Sequence, residues 1–233
     1  MSEFKFLKEK CLEANLQIKS NNLAIYTFGN VSVIDRPLNV FAIKPSGVPY
    51  QKLITNDIVV LNLEGKVLEG DLRPSSDTKT HTYLYNNWKN INSICHTHST
   101  YAVGWAQSLL SVPVYGTTHA DHLTKEIPCT EPMNDELIQG DYEHNTGIQI
   151  ANHFIKKNLN PDHNQMCLVG SHGPFTWGKD ENESVYNSVV LEELCKMAFI
   201  TKTVNPLLGS IKKSLIEKHY LRKHGKNSYY GQD

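Results

Sequence analysis

The strand-like runs of this chain are short, alternating and unevenly spaced, and that pattern restricts its fold more than any other feature. β-Branched and aromatic residues bounded by turn signals predict strands over 23–34 and 40–44. Residues 57–63 (DIVVLNL) predict a third, and the Glu64-Gly65-Lys66 turn into Val67-Leu68 predicts a hairpin. Residues 91–98 and 166–169 complete the set. Between them run helical patterns: 4–19, where Phe4, Leu7, Cys11, Ala14 and Ile18 share one face; 78–88; 100–109 behind Ser99; 147–158; and 210–224. Asp180, with Glu183 three residues on, opens a long helix to about residue 201 as a capping-box-like start. The stretch 112–131 reads as loop. Strands and helices mix without a regular βα alternation. That predicts an α/β chain built as a layered α/β/α sandwich around a mainly antiparallel sheet, not a doubly wound one.

No repeat, low-complexity tract or linker divides the 233 residues, so the expectation is a single domain over 1–233. With 39% hydrophobic and 20% charged residues the composition is that of a globular chain. A formal net charge of -1 gives no reason to expect nucleic acid or an anionic membrane as partner. No apolar run reaches about 18 residues, and the start (MSEFKFLKEK) lacks a signal-peptide core, so a cytoplasmic protein is expected. Five scattered cysteines without a CxxC pair read as buried thiols and exclude a zinc ribbon. The absence of GxGxxG and GxxxxGK[ST] leaves dinucleotide and P-loop chemistry unsupported.

The strongest local signal is His96-Thr97-His98 at the end of an apolar strand. Residues two apart on a strand share a face, so both imidazoles can converge on one ion, with Cys95 turned to the other layer. Two surface histidines on an edge strand give the same string, so a metal site needs a further ligand. His172 is a candidate, set between Ser171 and Gly173 after the apolar MCLVG. Three neutral imidazoles with open positions make a catalytic pattern and not a structural one. Asp77 can be read as a carboxylate ligand, a helix N-cap or a base, and spacing does not choose. His81, His144, His153 and His163 read as surface or satisfied, partly buried residues, while His119, Asp121 and His122 crowd one loop.

Three segments suit an anion: Gly29-Asn30, Ser46-Gly47, and Ser75-Ser76 just before a predicted helix N-terminus, with Lys44 as a point charge. Each alone is an ordinary turn.

Together these segments resemble the L-ribulose-5-phosphate 4-epimerases of the class II aldolase and adducin-head superfamily. The resemblance runs through TFGNVS (27–32), IKPSGVPY (43–50), PSSDTKTH (74–81), HTHS (96–99), GTTHAD (116–121), IPCT (127–130), SHGPFTWGK (171–179), KHYLRKHG and the YYGQ ending. It implies a class II aldolase-like fold and a Zn2+-type ion, with Mn2+ or Co2+ as substitutes, on His96, His98 and His172, joined by Asp77. It implies substrate and phosphate contacts from Gly29, Asn30, Lys44, Ser46, Gly47, Ser75 and Ser76. Asp121 and Tyr230 become the acid/base pair, with Glu143 and His219 as secondary site residues. It further implies a C4 homotetramer in which Asp121 and Tyr230 reach a neighbouring subunit's metal. The implied reaction interconverts L-ribulose 5-phosphate and D-xylulose 5-phosphate by retro-aldol cleavage and re-addition. Aldolases of the superfamily carry Glu at the position of Asp77, so this Asp points to the epimerase branch. A related ketose-phosphate aldolase and a metal-free, adducin-like binding domain are the alternatives.

Overall fold

A computed structural model describes residues 3–226 and 228–231; Gln232 of the YYGQ ending lies outside the described residues. Seven strands form one sheet: β1 (Asn30–Asp35), β2 (Val40–Ile43), β3 (Val59–Asn62), β4 (Val67–Glu69), β5 (Ser93–His96), β6 (Met166–Val169) and β7 (Gly173–Gly178). Their order is β4-β3-β2-β1-β5-β7-β6, with every neighbouring pair antiparallel. The α-helices among the described residues are α1 (Lys5–Ser20), α2 (Thr78–Asn87), α3 (Thr100–Gln107), α4 (Thr117–Ala120), α5 (Asp135–Gln139), α6 (Tyr142–Lys156), α7 (Glu181–Val204) and α8 (Lys213–His224).

Side-chain alternation sorts the helices into two layers. Ile34, Phe41, Ile43, Ile94, Phe175 and Trp177 face one side of the sheet and bury against Leu84 and Tyr85 of α2 and Ile150 and Phe154 of α6. Val33, Val40, Ala42 and Val60 face the other side and meet Leu7 and Cys11 of α1. On that same side Val31 and Cys95 pack with Ala14 and Ile18, while Met166 and Leu168 pack with Leu191 and Leu194 of α7. The expected sandwich therefore holds, and Cys95 is a packing residue as its alternation predicts. All five cysteines are buried and free. No helix among the described residues is long and apolar enough to cross a membrane.

Some elements differ from the sequence expectation. Residues 23–29 are not strand: Tyr26 and Gly29 take positive φ (50° and 78°), and Phe28 N–H donates to Ile25 O in a turn. Strand β7 was not anticipated, because its Gly-Pro start and Gly end look like loop. Only its inner alternation fits a strand, with Phe175 and Trp177 on one face and Thr176 turned to α7. Helix α4 interrupts the expected 112–131 loop, α5 was not foreseen, and α6 begins five residues before residue 147. The long α7 starts as expected, with Asp180 Oδ1 accepting from the Glu183 N–H at 2.8 Å.

Candidate functional site

The antiparallel register gathers the candidate residues at one end of the sheet. Asn30 opens β1 directly opposite His96, the last residue of β5, and His96 in turn pairs with Phe175 of β7. His172 sits in the tight β6–β7 turn, where its N–H donates to Val169 O at 3.0 Å and Ser171 takes φ 61°. Local pairing thus sets all three histidines. Their ligand nitrogens lie within 4.8 Å of one another, and His96 Nε2 stands 3.1 Å from His98 Nε2.

Burial pushes the His96 imidazole down to about 3, and His98 beside it adds to the effect. Burial likewise lowers His172 to about 3, reinforced by His96, and depresses His98. These rings are therefore neutral near pH 7, the form that binds a metal. The His96 Nδ1–H donates to Pro174 O at 2.9 Å, which fixes the tautomer and turns the Nε2 lone pair toward the other two rings. Two imidazole nitrogens 3.1 Å apart repel as bare lone pairs unless a proton or a cation stands between them. Three neutral donors open on one side fit a divalent ion with free positions for a substrate.

Asp77 occupies the N-cap position of α2, yet its side chain makes no capping bond. Its Oδ2 accepts from Asn30 Nδ2 at 2.6 Å and lies 4.0 Å from His96 Nε2. Of the three roles left open by sequence, the capping one is not realised, and the carboxylate faces the histidines.

A cavity of about 340 Å³ opens over the triad. Its lining brings together Gly29, Asn30, Lys44, Ser46, Gly47, Ser75, Ser76, Asp77, His96, His98, Glu143 and His172. The Ser46 and Ser75 N–H groups are spent on Arg73 O and Lys44 O, in the bridge that joins Pro45 to Pro74. An anion here would therefore meet the serine hydroxyls, the Gly47 and Ser76 N–H groups, and Lys44. Gly47 takes φ 71°, a conformation that suits glycine. Lys44 is 1% exposed; its Nζ donates to Thr27 O and Pro45 O at 3.3 Å each, and burial lowers its pKa to about 8.

Asp121, His219 and Tyr230 do not line this cavity and form a second cluster. Arg222 grips Asp121 with two bonds, Nε to Oδ1 at 2.9 Å and Nη2 to Oδ2 at 2.6 Å, and His219 Nδ1 lies 3.0 Å from Oδ1. Burial alone would raise the Asp121 carboxyl, but the bonds from Arg222 and His219 hold it below the usual range. The Tyr230 ring lies 4.9 Å from the Arg222 guanidinium carbon and 4.4 Å from Lys223 Nζ. His119 is buried and bonded to Lys125 O, and His122 to Thr118 O and Tyr186, so both are tied into the fold.

Sequence reasoning missed Tyr142, whose hydroxyl stands 3.3 Å from His172 Nδ1, and Arg222, which holds the Asp121 carboxylate. It also misplaced His81, which is fully buried and only half satisfied, its Nδ1 at Ser32 Oγ and its Nε2 without a partner among the described residues.

Residues 9–199 match the model of the class II aldolase and adducin N-terminal domain, and the chain belongs to that family. An L-fuculose 1-phosphate aldolase is 22% identical, with a TM-score of 0.76 over 94% of this chain and 96% of its own. YgbL of Escherichia coli, provisionally described as an aldolase/epimerase/decarboxylase, is 21% identical, with a TM-score of 0.72 over 93% of this chain and 99% of its own. The L-fuculose-1-phosphate aldolase of Thermus thermophilus is 20% identical, with a TM-score of 0.67 over 88% of this chain and 98% of its own. At such identities these likenesses bear on the fold.

Proposed function

We propose that the chain is a single catalytic unit, an L-ribulose-5-phosphate 4-epimerase that uses a Zn2+-type ion on His96, His98 and His172. It would work in the cytoplasm as a C4 homotetramer, each site lying between two subunits. What supports this reading is that one chain gathers a carboxylate and a phenol, Asp121 and Tyr230, around the same Arg222.

Inversion at C4 through bond cleavage needs such a pair. The C4 hydroxyl loses its proton and the C3–C4 bond breaks. The aldehyde fragment turns and is re-attacked on its other face, where a second group must return the proton. An aldolase that releases its aldehyde needs only one of these arms. In the tetramer, Asp121 and Tyr230 of one subunit would flank the substrate bound in its neighbour. Lys44, Ser46, Gly47, Ser75 and Ser76, beside Gly29 and Asn30, would hold the phosphate so that the fragment stays while it turns. Asp77 and Glu143 line the same wall, and His219 would orient Asp121. A divalent ion, when bound, supplies Lewis-acid stabilisation for the charge developing on the ketose oxygens.

The aldolase reading draws support from the fuculose-phosphate aldolases among the similar structures. Against it, Asp77 is short and pinned at 2.6 Å by Asn30, an arrangement that restrains it from serving as a mobile base. Protein reconstituted with Zn2+, Mn2+ or Co2+ should convert L-ribulose 5-phosphate to D-xylulose 5-phosphate and stop on chelation. Conversion that survives complete metal removal would refute the proposal.

A further inference from the structure

Behind the cavity wall, β1 and α2 face each other through two polar rungs. Asn30 and Ser32 are two apart on β1, and Asp77, the N-cap of α2, stands four residues before His81 within it, so each pair shares a face. One rung is the Asn30 Nδ2–H donating to Asp77 Oδ2 at 2.6 Å. In the other, Ser32 Oγ lies 2.7 Å from His81 Nδ1 and 2.7 Å from the Tyr85 hydroxyl. Ser32, His81 and Tyr85 are wholly buried and Asn30 nearly so. Two buried atoms on these rungs have no partner among the described residues, Asn30 Oδ1 and His81 Nε2. Orphans of this kind are expensive unless something fills the gap.

The donor order follows from counting protons. Ser32 Oγ is the one hydrogen-bond partner of the Tyr85 hydroxyl among the described residues, so leaving no buried hydroxyl proton idle has Tyr85 donate to Ser32. Ser32 then donates to His81 Nδ1, which leaves the ring proton on Nε2. That N–H and the Asn30 carbonyl form one donor and one acceptor on neighbouring rungs, the polar pair that an ordered water bridges. We propose that His81 is a positioning residue for Asp77, acting through a water held between His81 Nε2 and Asn30 Oδ1. The donor chain runs from Tyr85 through Ser32, His81 and Asn30 to the Asp77 carboxylate. By supplying a donor to Asn30 Oδ1 it selects the amide orientation that offers Nδ2 to Asp77; the flipped amide would set an oxygen against the carboxylate. The ring-stacking Phe175 lies 6.2 Å from His81 and 4.2 Å from His96, so the same residue walls both.

The inference rests on the reading of Asp77 as facing a bound metal, and its test uses Co2+ affinity, read by visible absorption, and not turnover. His81→Phe should weaken Co2+ binding roughly tenfold, the usual cost of losing an outer partner of a ligand set. The same change on an Asp77→Asn background should add nothing. A glutamine amide nitrogen falls near the Nε2 position and an asparagine's near Nδ1. His81→Gln should therefore bind Co2+ like the parent and His81→Asn like the Phe variant. This pair also carries the test if His81→Phe fails to fold. Equal losses on both backgrounds, or Asn matching Gln, would overturn the inference alone. An Asp77→Asn protein with parental Co2+ affinity would overturn the reading of Asp77 and the inference with it. Failure of the epimerase assay with these Co2+ results intact would touch the proposed reaction only.

Discussion

A lysine that is 1% exposed, held by two carbonyl oxygens and lying 4.9 Å from the Tyr50 ring centre, keeps its charge only with help. Burial brings the Lys44 pKa down to about 8, so the ammonium is present below that pH and is lost as pH rises through it. If Lys44 holds the substrate phosphate, kcat/KM should fall on the alkaline side with a midpoint near 8, since that profile reports the free enzyme. Lys44→Met should remove this limb and raise KM far more than it lowers kcat. A flat profile to about pH 10 in the parent protein would separate Lys44 from substrate binding. At this scale the sequence was readable where the geometry is local. His96 and His98 converge because strand side chains repeat every two residues. The Asn30–Asp77 and Arg222–Asp121 bonds join residues 47 and 101 positions apart, and no local periodicity announces them.

The elements that place the site are β1, β5 and the β6–β7 hairpin, and Gly29, just before β1, lies close against the end of β5. Its φ is 78°, and a Cβ there would stand 2.8 Å from His96 O. Gly29→Ala should therefore cost about 1–3 kcal/mol of stability and loosen metal binding by displacing β5, measurable by denaturant melts and Co2+ titration. Parental values in both would mean that the β1–β5 approach does not set the histidines. The sandwich itself was legible, since short alternating runs without βα regularity admit few other layers. The failures share a physical cause. Residues 23–29 carry strand-forming side chains on a backbone that turns left-handed at Tyr26 and Gly29. Strand β7 hides its alternation between a Gly-Pro start and a Gly end, and it becomes a strand because β5 and β6 pair with it on both sides.

For the whole molecule, the sequence named residues that the structure divides between two places. The triad, Asp77 and the phosphate segments line one cavity, while Asp121, His219 and Tyr230 gather around Arg222 outside it. The proposed tetramer would join the two across subunits. Co-assembly of His96→Ala chains with Tyr230→Phe chains, each inactive alone, should then restore activity. Random mixing in a closed ring gives about a quarter of the sites both intact halves. No recovery in verified mixed oligomers would place the chemistry within one chain.

An epimerase of this kind would break and remake a carbon–carbon bond without letting the aldehyde go. Metal-reconstituted protein incubated with L-ribulose 5-phosphate and followed by 31P NMR measures that directly. D-xylulose 5-phosphate should approach equilibrium with only traces of free glycolaldehyde phosphate. Glycolaldehyde phosphate accumulating in step with lost ketose, or no turnover with the metal bound, would overturn the epimerase proposal.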